Sequence, residues 1–212
     1  MINQIEVFTQ SSIRIKGNAH IFYIDPFQMR TAPKDADYVL ITHDHFDHFS
    51  PEDIKKVSTD KTVLVFPVKM ADQVRKALPD IAGVEPVIPG ETYILGDVQV
   101  ETVPAYNRIK PFHPKHAGWV GYIITTDGRR IYIAGDTDAT KEAAAVRCDI
   151  ALVPIGGKFT MDAAKAAELV NKIAPSAAIP THYGQVVGNE ADAAVFKGLV
   201  KPGINVEIIK QY

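Results

Sequence analysis

Six consecutive residues, His43-Asp44-His45-Phe46-Asp47-His48, set three imidazoles and a carboxylate at offsets that suit metal ligation. In an extended segment, residues two apart point to the same side, so His43 and His45 can share one ion. Asp47 and His48 are adjacent and diverge as the chain turns, which places them for a second ion beside the first. Zinc takes about four ligands, so the rest of the chain must fill the remaining positions.

The flanking residues say how this turn is held. Tyr38-Val39-Leu40-Ile41-Thr42 is apolar and β-branched, the pattern of a buried strand, so the ligands begin where a strand ends. Ser50-Pro51-Glu52-Asp53 marks a helix start: a Ser cap, Pro at the first helical position and an acid three residues after the cap. Two later strand ends repeat the design. Ile131-Tyr132-Ile133-Ala134 runs into Gly135-Asp136, where Asp136 can bridge two cations and lower their mutual repulsion. Ile179-Pro180-Thr181 runs into His182, a ligand for the second ion. Asp25, after Ile21-Phe22-Tyr23-Ile24, reads as a carboxylate that accepts the free N–H of a ligating histidine, or else as a cap of the turn before Pro26. His20 lies in an alternating strand and reads as structural. His113 and His116 fall in the long loop 104–118, where either can ligate metal or hold substrate.

With 212 residues, 46% of them hydrophobic, and 23 basic against 25 acidic side chains, the chain is long enough to bury one large core. No apolar run reaches the 18 or so residues of a membrane span, and cytoplasmic residence is the expectation. The single Cys148 excludes an internal disulfide and a multi-cysteine zinc site, and its place at the start of an apolar run reads as a core thiol. Basic residues are dispersed, so no nucleic-acid groove is expected. The partners implied are a small-molecule substrate and neither nucleic acid nor membrane; a homo-oligomer is compatible with these features.

The first strands, at 5–8, 12–16, 19–25 and 38–42, read as an antiparallel-like meander. Helix and strand then alternate: a helix from 51, a strand at 62–66, a helix at 68–78, and strands at 84–88 and 92–95. A second round has strands at 98–103, 119–125 and 130–134, the last two joined by a Thr126-Asp127-Gly128-Arg129 turn, then a helix at 140–146 and a strand at 149–153. A helix at 161–173, a strand at 177–180, a helix near 192–200 and a strand at 206–210 complete it. The fold class expected is α/β: a four-layer αββα sandwich of two mixed sheets flanked by helices, one domain over 1–212 with similar halves of about 1–96 and 97–212.

The HxHxDH turn, the strand-end Asp136 and the late His182, in that order, resemble the metallo-β-lactamase superfamily of αββα hydrolases. Within it the chain is similar to the branch of small metal-dependent hydrolases that includes the ascorbate-6-phosphate lactonase. The resemblance implies two divalent ions, zinc or manganese, with His43 and His45 on the first, Asp47, His48 and His182 on the second, and Asp136 bridging. It also implies a metal-bound hydroxide as nucleophile, which Asp47 can orient or relieve of a proton. One position departs from the family pattern. Where the superfamily supplies a third histidine to the first ion, this chain reads Pro104-Ala105-Tyr106-Asn107. Either His113 or His116 replaces it, or the first site is weakened, since an amide oxygen is a poorer ligand than imidazole.

The function expected is hydrolysis of a small anionic substrate, a lactone or ester first of all. The rivals are a phosphodiesterase and a non-catalytic metal-binding protein with a weakened first site; a di-iron oxidoreductase has the same ligands available but no flavin-binding segment is apparent. For the substrate, Gly156, Gly157 and Lys158 join a strand to a helix and could bind an anionic group, although Thr160 or Asp162 capping that helix is the plainer reading. Tyr106 and Arg108 are further substrate contacts from the long loop.

Overall fold

A computed structural model describes residues 2–209, and the chain divides into two compact units, with the division along the sequence falling between Ile88 and Pro89. The first unit carries a six-stranded sheet of β1 (Ile5–Val7), β2 (Ile13–Lys16), β3 (Ile21–Ile24), β4 (Ala36–Leu40), β5 (Ser58–Pro67) and β6 (Gly83–Val87), in that spatial order. The first three strands pair antiparallel, but β4 pairs parallel to β3, with Ile24 opposite Leu40. The expected meander therefore stops one strand early, because residues 25–35 carry the chain back to the start of the sheet before β4 begins. The consequence is functional. Parallel pairing brings the ends of β3 and β4 to one edge, so Asp25 lies beside Thr42 and the histidine turn.

Helix α1 (Pro51–Val57) starts where its residues said it would, with the Ser50 side chain accepting from the Asp53 amide. The Asp53 carboxylate also accepts the amides of Gln28, at 2.8 Å, and Met29, at 3.0 Å, and so ties the 25–35 crossover to the helix. Burial pushes the Asp53 carboxyl up, but bonds from Lys56, Ser50, Gln28 and Met29 outweigh it and hold the group below the ordinary value. The segment expected to be one helix at 68–78 is a 3-10 turn at Val68–Met70 followed by α2 (Ala71–Ala77). Tyr23, Val39, Ile41, Ile54, Leu64 and Phe66 lead the apolar core of this unit.

The second unit carries seven strands: β7 (Thr92–Leu95), β8 (Val98–Pro104), β9 (Val120–Thr126), β10 (Arg129–Ile133), β11 (Ile150–Pro154), β12 (Ala177–Thr181) and β13 (Asn205–Val206). β7 to β10 form antiparallel hairpins, and β10 to β13 run parallel. Residue 210, where the last strand was expected to end, lies outside the described residues. The unit's helices are α3 (Lys141–Ala144), α4 (Ala163–Ile173) and α5 (Asp192–Leu199). Every residue of β11 and β12 is buried, as parallel strands covered on both faces must be. Tyr132, Val153, Met161, Val170 and Phe196 sit in the core between this sheet and its helices. Because β10, β11 and β12 are parallel, their ends deliver Asp136, Gly156 and His182 to one edge, the usual place for a site in such sheets.

Candidate functional site

In the first unit, the histidine turn is organised by Asp25 and Thr42. Asp25 is fully buried and accepts three hydrogen bonds: from the Thr42 amide at 2.8 Å, the Thr42 hydroxyl at 2.6 Å, and His48 Nδ1 at 2.7 Å. Burial pushes the Asp25 carboxyl upward, while the facing His48 and the bonds from His48 and Thr42 oppose that shift. The tautomers follow. Thr42 donates its only hydroxyl proton to Asp25, so at 2.9 Å the hydroxyl can only accept from His43 Nδ1. His43 and His48 thus both spend their Nδ1–H on fixed oxygens, and each keeps an Nε2 lone pair. His43 Nε2 lies 3.1 Å from His45 Nδ1. Asp47 Oδ2 lies 3.7 Å from His48 Nε2.

The second unit holds a matching cluster. His113 Nε2 and His182 Nε2 approach the same oxygen, Oδ2 of Asp136, at 3.3 and 3.2 Å, and all three side chains are buried. Asn107 decides the state of His113. Its amide nitrogen donates to the Phe159 carbonyl at 2.9 Å, so its oxygen must be the atom facing His113 Nδ1, also at 2.9 Å. His113 therefore donates from Nδ1 and presents Nε2 to the carboxylate. The loop carrying it is pinned by Lys110, which bonds to the carbonyls of Gly157, at 2.8 Å, and Thr160. His182 stands in the left-handed region at φ 56°, an uncommon conformation for a side-chain-bearing residue. Asp25, in the other cluster, has φ 45°.

These donor sets fit a divalent metal. Where the ring nitrogen carries no proton, it and the carboxylate oxygen are both acceptors, and a cation between them turns their repulsion at 3.3 Å into attraction. Nitrogen and oxygen ligands about 2.0–2.1 Å from a tetrahedral ion are about 3.3 Å apart. The His43–His45, His113–Asp136 and His182–Asp136 separations, 3.1 to 3.3 Å, are of that size.

The remaining expected site residues fall elsewhere. His116 is exposed on a 3-10 turn, Lys115–Ala117, and Lys158 is exposed with its ammonium over the Phe159 ring. Asp162 caps α4 by accepting the Lys165 amide at 2.8 Å, so the helix start is already provided with an anion. Gly156 has a different use. A Cβ there would overlap the His182 carbonyl oxygen and sit 2.6 Å from Val187 Cγ2 and 3.3 Å from His182 Nδ1, so its bare backbone is the space that His182 occupies. Tyr106 donates its hydroxyl to Glu142 at 2.9 Å, and Arg108 is exposed beside it. His20 packs edge-on to Phe22 and Tyr38, and burial pushes the Cys148 thiol up to about 12, which keeps it protonated. Sequence reasoning missed Thr42, which reads only as a strand residue until the tautomers are worked out.

A family profile described as a β-lactamase superfamily domain matches residues 4–182. The chain belongs to the metallo-β-lactamase superfamily, whose α/β fold with two mixed sheets it shares. Among its relatives, a UPF0173 metal-dependent hydrolase of Pyrococcus abyssi is 32% identical over 98% of this chain and 96% of its own. Another UPF0173 metal-dependent hydrolase, from Thermoplasma acidophilum, is 34% identical over 86% of this chain and 84% of its own. Among solved structures, Igni18, a metallo hydrolase of Ignicoccus hospitalis, superposes with a TM-score of 0.77 at 21% identity, covering 97% of this chain and 94% of that one.

Proposed function

We propose that this chain is a metal-dependent hydrolase that holds two zinc ions and cleaves a small anionic lactone or ester. His43, His45 and His113 are assigned to the first ion, Asp47, His48 and His182 to the second, and Asp136 to both. The observation that carries this reading is the double approach of His113 Nε2 and His182 Nε2 to one Asp136 oxygen, at 3.3 and 3.2 Å. Asn107 orients the third imidazole rather than standing in for it, so three nitrogen ligands are available to the first ion. Such a set favours zinc over an oxygen-loving ion such as manganese.

When bound, the ions would acidify a water toward neutral pH and polarise the carbonyl under attack. The protein's own part is to hold the imidazoles of His43, His48 and His113 in one tautomer, through Asp25, Thr42 and Asn107. Asp47, 6% exposed at the rim of its turn, is placed to orient the nucleophile or take its proton. Zinc-loaded protein assayed on a panel of lactones, carboxylic esters and bis(p-nitrophenyl) phosphate tests the reading. Lactone or ester turnover lost in Asp136→Asn supports it; turnover of the phosphodiester alone gives the reaction to a phosphodiesterase.

A further inference from the structure

The loop between β8 and β9 carries Asn107 and His113, and at its base the Asn107 amide donates to the His113 carbonyl at 2.7 Å. Outside that pair the two arms of the loop meet again, on one carboxylate. Tyr106, just before Asn107, donates its hydroxyl to Glu142 Oε2 at 2.9 Å, and Lys115, on the far arm, donates to Glu142 Oε1 at 2.8 Å. The Lys115 ammonium also lies 4.8 Å from the centroid of the Tyr106 ring, so the three side chains form one unit. Glu142 stands in α3, the helix that follows Asp136 along the chain. The clasp therefore ties the loop that carries His113 to the stretch that carries Asp136, whose carboxylate His113 Nε2 approaches at 3.3 Å. Backbone holds the near arm to the same stretch, since the Asp138 amide donates to the Tyr106 carbonyl at 3.0 Å.

An exposed lysine paired with a carboxylate contributes little by itself. Here the carboxylate side chain is only 20% exposed and is shared with a phenol hydroxyl, whose bond to a charged acceptor is stronger than one to a neutral group. Burial pushes the Glu142 carboxyl up, but the bonds from Lys115 and Tyr106 help bring it down to about 2, so the acceptor is ionised at neutral pH. A loop free to open would pass part of its time with His113 away from Asp136, and an ion that needs His113 would bind more weakly in proportion. We propose that Glu142 is a positioning residue for the first metal ion, closing the loop on α3 and so presetting His113. The proposal rests on the assignment of His113 to that ion. In the same assignment the second ion takes no ligand from this loop, so loss of the clasp is felt at one ion and not at the other.

Two measurements on the full chain test it in wild type, Glu142→Gln and Glu142→Ala: stepwise zinc affinity against a chromogenic chelator, and amide hydrogen exchange over 107–113. In Glu142→Ala one zinc step should weaken about tenfold and the other stay within about twofold. Exchange over 107–113 should quicken about tenfold while α4 keeps its protection. Glu142→Gln, which retains an acceptor for the Tyr106 hydroxyl, should fall between wild type and Glu142→Ala in both readings. Two zinc steps unchanged in Glu142→Ala would overturn the proposal, and two steps weakened alike would assign Glu142 to the fold and overturn it equally. Should Glu142→Ala fail to fold, Glu142→Gln and Lys115→Gln carry the comparison under the same criteria. A wild type that binds fewer than two zinc ions would count against the two-ion reading. The exchange measurement still decides the clasp in that case, and equal exchange over 107–113 in wild type and variant would overturn it.

Discussion

Asp25 Oδ2 and His48 Nδ1 stand 2.7 Å apart with both side chains completely buried, and this pair fixes which nitrogen of His48 faces outward. The relationship exists because β3 and β4 run parallel, so a residue just past one strand meets the turn that follows the other. Asp25→Asn preserves the shape but presents an amide that cannot accept all three bonds. Zinc affinity in competition with a chromogenic chelator should fall about 10- to 100-fold, with the circular dichroism spectrum kept. An unchanged affinity would mean that Asp25 serves only the fold.

The same logic applies in the second unit to Asn107 and His113. Asn107→Ala frees His113 to turn or to change tautomer, and should cost about 10- to 100-fold in metal affinity. Asn107→Asp, which keeps an acceptor at the same place, should recover much of that loss. If Ala and Asp behave alike, the hydrogen bond to His113 has no part in metal binding.

Glycines at two positions should respond oppositely to alanine. In Gly156→Ala the new methyl meets backbone, the His182 carbonyl, and Val187 Cγ2 at 2.6 Å, so His182 must shift. A loss of about 1–3 kcal/mol, together with weaker metal binding, is expected from thermal and chelator titrations. Gly198 lies within α5 with nothing near its Cβ position, and Gly198→Ala should stabilise by about 0.5–1 kcal/mol.

Asp53 gives a pH-dependent prediction. Asp53→Ala leaves the amides of Gln28 and Met29 without their acceptor and should cost about 2 kcal/mol at neutral pH in urea unfolding. Because the folded-state pKa is depressed, the carboxylate's contribution is complete above the unfolded value of about 4 and is lost as pH falls through the folded one. The gap between wild type and variant should therefore close in acid; a gap constant with pH would assign the effect to packing.

Much of this was legible in the residues. The Ser50 cap with Pro51, the β-branched run before His43, and the alternation of helices and strands after residue 134 each place an element by local chemistry alone. The parallel turn of β4 was not legible, because residues 25–35 carry no periodicity that says on which side of the sheet the chain returns. The HxHxDH turn could be picked out from its spacing as a candidate ligand set. The partnership of Asn107 with His113 could not, since it depends on a loop folded back on itself and on the Phe159 carbonyl 52 residues away. For the same reason the residue whose amide was weighed only as a poorer ligand is seen as a hydrogen-bond acceptor for a histidine in its own loop.

In the proposed site His113 supplies the ligand missing at position 107. Metal analysis of wild type and His113→Ala, purified without chelators and dialysed against trace zinc, tests it most directly. Two zinc ions per chain are expected in the wild type and one in the variant, with the remaining ion bound as tightly as before. Two ions in both proteins would contradict it.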